Sequence, residues 1–101
     1  MENPNILLTA GLASDFDDYE VKDEAVKEII EKVMILAKRN RLGENVKGAG
    51  KIRKLRFGNF RLFILIEKNS VFMLGYGHRK NCYSKEFLSS LSKRMKDWWH
   101  L

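Results

Sequence analysis

The chain has 101 residues, enough for one domain with one core and too few for a second. Hydrophobic residues make up 45% of it, which excludes disorder as the default state, and no apolar run approaches the roughly 20 residues that span a bilayer. The net charge of +6 is unevenly divided: residues 1–32 hold nine acids against three lysines, and residues 33–101 hold sixteen Lys and Arg against four acids.

Ile6-Leu7-Leu8-Thr9 reads as a short apolar strand. Gly11 to Tyr19 reads as a turn and a short helical piece, with Ser14 as N-cap for Asp15 to Tyr19. From Val21 to Arg39, apolar residues recur at Val26, Ile29, Ile30, Val33, Met34 and Ala37, the single stripe of an amphipathic helix. Its acids come early (Asp23, Glu24) and its bases late (Lys38, Arg39), as the helix dipole favours. Gly43 ends this region, and Lys47-Gly48-Ala49-Gly50 is a loop.

The period then changes. Lys51 to Phe57, Phe60 to Glu67 and Val71 to Tyr76 are three β-rich runs, separated by Gly58-Asn59 and Lys68-Asn69-Ser70 at hairpin-turn lengths. An antiparallel meander is expected, with the first strand joining its edge. A polar loop, Gly77 to Tyr83, follows. Ser84 then caps a last helix that carries Phe87, Leu88, Leu91, Met95, Trp98 and Trp99 along one side. That stripe serves either the core or a docking surface. The expected fold class is α+β: one domain over 1–101, with two N-terminal helices, a C-terminal helix and a small antiparallel sheet.

The cationic two thirds suit a polyanion such as nucleic acid, although a basic strand also serves as a solvated, aggregation-resistant face. Lys51-Ile52-Arg53-Lys54-Leu55-Arg56 sets four long cations in six strand positions, and Arg61 opens the next strand. With Gly58-Asn59 as the turn, Phe57 pairs with Phe60 and Arg56 with Arg61. Like charges directly opposite destabilise a sheet unless something anionic lies between them, which points to a phosphate site. Gly77-His78-Arg79-Lys80-Asn81-Cys82-Tyr83 gathers imidazole, guanidinium, ammonium and phenol. Each can donate to phosphate and two can move protons. The single cysteine, Cys82, allows no internal disulfide and fits a reducing compartment. Met1-Glu2-Asn3-Pro4 lacks the basic region of a signal peptide, so the cytoplasm is the expected location.

The run Gly50 to Arg56, then Phe60-Arg61, then Gly77-His78-Arg79-Lys80 and Tyr83, resembles the RelE/ParE toxin superfamily, and the element order is similar over nearly the whole chain. Gly48 to Arg56 and the last helix look most like the HigB branch. The turn Gly58-Asn59 is shorter than the glycine-rich insertion of several HigB-type relatives.

The resemblance implies the toxin of a type II toxin–antitoxin system. Its activity would be that of an endoribonuclease (mRNA interferase) cleaving mRNA at the ribosome and neutralised by a cognate antitoxin protein. No metal, small-molecule cofactor or membrane is implied. Carried over by position, Lys54, Arg61, Arg79, Tyr83 and His78 become catalytic candidates, and Lys51, Arg53, Arg56 and Lys80 RNA-binding ones. Arg61 would clamp the phosphate with its guanidinium fork, and Lys54 and Arg56 would stabilise the phosphorane. Tyr83 would act as base or orient the nucleophile, and Arg79 or His78 would serve the leaving group, His78 being equally a candidate base. The alternatives are a ParE-like DNA gyrase inhibitor and a catalytically inactive RNA-binding relative.

Overall fold

The computed structural model describes residues 1–100, with side chains through residue 99. The elements are β1 (Asn5–Thr9), α1 (Ala10–Asp18), α2 (Asp23–Lys38), β2 (Glu44–Asn45), β3 (Arg53–Phe57), β4 (Phe60–Glu67), β5 (Ser70–His78), α3 (Lys85–Leu91), a 3-10 turn (Ser92–Lys96) and β6 (Trp98–His100). All six strands share one sheet in the order β2-β3-β4-β5-β1-β6.

The meander forms with the expected register: Phe57 pairs with Phe60 and Arg56 with Arg61. β1 lies beside β5 and runs parallel to it, Asn5 opposite Ser70 through Leu8 opposite Met73. A parallel neighbour has no hairpin route, and here α1, α2 and the meander form the crossover. β1 is an inner strand, which explains why Ile6, Leu7 and Leu8 are all buried where an edge strand would alternate.

Apolar residues on both sheet faces give two cores. On one face, Leu12 and Phe16 of α1 and Ile29, Val33 and Ala37 of α2 pack on Leu55, Leu62, Ile64, Val71 and Met73. On the other, Leu91 of α3 packs with Phe63, Phe72, Leu74 and Cys82. α3 is short, so this second face is only partly covered.

Two local expectations are corrected. The first helix begins at Ala10, and its cap is Thr9, not Ser14: the Thr9 hydroxyl accepts from the Leu12 N–H (3.2 Å) and also donates to the Met73 carbonyl (2.9 Å). The last helix does not run on to the tryptophans. It ends at Leu91, passes through the 3-10 turn, and turns extended at Asp97. β6 then pairs antiparallel with β1, Leu8 opposite Trp99 and Thr9 opposite Trp98. The outer edge of β1 offers unpaired backbone groups, and two adjacent tryptophans suit a strand better than an exposed helix end. Trp98 sits edge-on to Phe72, with ring centroids 5.6 Å apart.

Among the described residues, no helix is long and apolar enough to cross a membrane.

Candidate functional site

Strand alternation decides which cations can meet. Ile52 and Phe63 belong to the α3-side core, whereas Leu55 and Leu62 belong to the other. Lys54, opposite Phe63, and the Arg56–Arg61 pair therefore project on the α3 side, at the end of the sheet near the Gly58 turn.

The loop after β5 brings Tyr83 to the same place. A Cβ on Gly77 would lie 2.9 Å from the Cys82 Cβ, so only a glycine lets this loop fold back directly over β5. Asn81 and Cys82 N–H groups both donate to the His78 carbonyl, at 2.9 and 3.0 Å, closing the turn. Cys82 is thereby buried and Tyr83 is laid across the sheet. The Tyr83 ring meets Phe63 edge-on (6.0 Å), and the Lys54 ammonium lies 5.0 Å from its centroid. At 41% exposure the phenol remains open to a ligand.

Arg61 Nη1 donates to the Gly58 carbonyl (2.9 Å) and the Phe60 carbonyl (2.8 Å). These bonds fix the root of the guanidinium at the turn and leave Nε and Nη2 without a protein acceptor among the described residues. The Arg79 N–H donates to Asn59 (2.8 Å), continuing the β4–β5 ladder past Gly77, which is opposite Arg61. Two residues beyond Gly77, Arg79 occupies a ladder position on the Arg61 side of the strand, and its side chain is exposed.

The cluster contains a carboxylate that the motif reading missed. Glu44, on β2 opposite Lys54, lies 3.7 Å from Lys54 Nζ and 3.9 Å from Arg56 Nη2. It supplies part of the negative charge that an Arg56–Arg61 pair requires, and none of it at the Arg61 guanidinium. Its place depends on Gly43, at φ +69°, where a Cβ would stand 1.9 Å from the Lys54 carbonyl oxygen. The available signal was weak: Glu44 is one of four acids in a basic stretch and directly follows that glycine.

Four sequence candidates lie outside this cluster. Arg53 faces the other way and is absorbed by structure, Nε donating to the Leu42 carbonyl (2.8 Å) and Nη2 to that of Gly43 (2.6 Å). Lys51 stands at the far end of the sheet with Glu67 and Lys68. Lys80 is exposed in the turn. His78 is the last residue of β5 and not part of the loop; its ring packs edge-on to Phe60 on the helix-covered face (5.3 Å). Its Nδ1 accepts from the Lys80 N–H at 3.2 Å, so the imidazole helps shape the loop that carries Arg79 and Tyr83.

Burial pushes the Cys82 thiol above its usual 9.0, against the opposing pull of Arg61 and Lys54. Burial and the nearby Tyr19 likewise raise the Tyr76 phenol above 10.0. A folded-state pKa raised in this way contributes stability that is complete below the unfolded value and lost as pH rises through the folded one. The melting temperature is therefore expected to fall as pH is raised beyond about 9, and thiol-reagent labelling of Cys82 at pH 8 to be at least about tenfold slower than in denaturant. Labelling at the denatured rate would contradict this burial.

Chemically, the cluster can hold a phosphodiester between guanidinium and ammonium groups while a phenol and a carboxylate stand within reach of a proton. Neither a protein-family model nor a curated protein matches the chain. Among solved structures, it is similar to a chain of the RelB-RelE antitoxin-toxin complex from Methanococcus jannaschii, at 20% identity and a TM-score of 0.57, over 75% of this chain and 93% of that one. At this identity the likeness speaks for architecture alone, and on that ground the strand, two helices, meander and C-terminal helix described above form a RelE-like α+β fold.

Proposed function

We propose that this protein is the toxin of a type II toxin–antitoxin pair, a metal-independent endoribonuclease that cleaves mRNA at the ribosome in the cytoplasm. The observation that carries the reading is the meeting of Lys54, Arg56, Arg61 and Tyr83 on one partly open face of the sheet. The RelE-like fold, shared with a chain solved in an antitoxin-toxin complex, supports a cognate antitoxin as the protein partner.

In this reading Arg61 grips two non-bridging phosphate oxygens through Nε and Nη2, a fork that a lysine cannot reproduce. Lys54 and Arg56 neutralise charge that develops on the phosphorane, Lys54 from a position that Glu44 and the Tyr83 ring set before substrate arrives. The RNA's own 2′-oxygen attacks phosphorus, its proton passing to the Glu44 carboxylate or to Tyr83 in its phenolate form. The 5′-oxygen leaves with a proton from a water molecule oriented by the Arg79 guanidinium, and the products are a 2′,3′-cyclic phosphate and a 5′-hydroxyl. His78 contributes by holding the loop.

Mapping mRNA 5′ ends after brief induction tests the proposal. New 5′-hydroxyl ends within coding regions are expected. Inhibited supercoiling without new ends would replace this reading with gyrase inhibition, and RNA binding without cleavage would make the protein an inactive relative.

A further inference from the structure

Beside the cationic cluster runs a groove of about 670 Å³, between the Lys47–Ile52 turn and α3. Its floor is apolar, formed by Ala49, Ile52 and Leu88, and Ser89 stands at its side. Lys47 and Lys85 stand exposed at its two walls, and neither has a carboxylate within ion-pair distance among the described residues. No lining residue is acidic.

Both walls of the groove adjoin the cluster along the chain. Ile52 precedes Lys54 by two positions on the same side of the strand, and Lys85 follows Tyr83 by two. Two strand residues cover about 7 Å, close to one nucleotide of an extended single strand.

Resting on the reading above, we infer that the groove is the subsite for the nucleotide adjoining the scissile phosphate. Its base lies on Ile52 and Leu88, and its phosphate lies between Lys47 and Lys85. An apolar floor accepts the faces of any base, and the Ser89 hydroxyl, whose proton goes to the Glu86 carbonyl (3.1 Å), can accept from a base edge. Paired ammonium groups on opposite walls suit a backbone that carries one charge per nucleotide. The remaining occupant of suitable chemistry, an acidic amphipathic protein segment, is separated by experiment.

The probe is a fluorescein-labelled hexauridylate, 2′-O-methylated throughout so that it cannot be cleaved, titrated with the full chain and followed by anisotropy. Lys47→Glu/Lys85→Glu, both exposed, is expected to lose at least about tenfold affinity and to flatten the salt dependence by one to two phosphate contacts. In the wild type, an abasic residue at one position of the oligonucleotide should weaken binding, and Ser89→Glu should erase that positional effect. Arg61→Ala is measured in parallel. If Arg61→Ala weakens binding and the lysine reversal does not, the groove assignment fails while the phosphate clamp stands. If only the lysine reversal weakens binding, the clamp fails and the groove stands. A wild-type protein that ignores the oligonucleotide but binds an acidic peptide through Lys47 and Lys85 overturns the subsite in favour of a protein partner.

Discussion

Arg61→Ala is expected to abolish growth arrest and lower mRNA cleavage by about 10² to 10³, the usual cost of removing one preorganised donor from a charge-developing site. The fold should not suffer. The Arg61 side chain makes two hydrogen bonds, both to carbonyls of its own turn and one of them in an exposed setting. Such bonds are each worth about 1 kcal/mol or less. Their loss is offset because the substitution also removes the Arg56–Arg61 juxtaposition, an unfavourable cross-strand pair. Activity and stability therefore separate, which makes the result interpretable. Arg61→Lys should recover little activity, because an ammonium keeps the charge and loses the two-pronged geometry. Full cleavage by the alanine variant, measured by 5′-end mapping against the wild type, would remove Arg61 from the mechanism.

The second large effect lies away from the cluster. Arg94, on the 3-10 turn, reaches Asp15 of α1 with both terminal guanidinium nitrogens, at 2.6 and 3.4 Å, and Nη1 also donates to the Leu74 carbonyl (3.0 Å). Asp15 in turn accepts from the Tyr76 N–H at 2.9 Å. Side-chain exposures of 19% and 12% put the pair in a poorly solvated site. Asp15→Ala orphans the Tyr76 N–H and leaves a half-buried guanidinium unpaired. Breaking a fully buried pair costs about 3–5 kcal/mol, and residual solvent contact reduces this to about 2–3. For a chain of this length the melting temperature should fall by about 10–20 °C. The double variant Asp15→Asn/Arg94→Met should recover part of the loss, because neither charge is then stranded. A fall of less than about 4 °C in the single variant would show that the pair is well solvated.

That ion pair also shows why parts of the molecule could not be read locally. Its partners are 79 residues apart, and nothing in either neighbourhood marks them as a pair. Glu44 is similar: it joins Lys54 and Arg56 only because β2 folds back beside β3 at Gly43.

The sequence by itself determined the amphipathic α2, the meander and the pairing of Arg56 with Arg61. The 3.6-residue and two-residue periods are local, and a two-residue turn leaves little choice of register. Tertiary structure alone decided four things. It turned Arg53 toward the Leu42 and Gly43 carbonyls, since alternation separates it from Lys54 by a whole sheet face. It extended β5 through His78, because Phe60 offers that residue a ladder partner, and so sent the imidazole to the helix side. It set β1 parallel to β5, and it drew Trp98 and Trp99 out of a helix to close the exposed edge of β1. The last three outcomes follow from pairing backbone groups on strands distant in sequence, a demand no short window of residues can express.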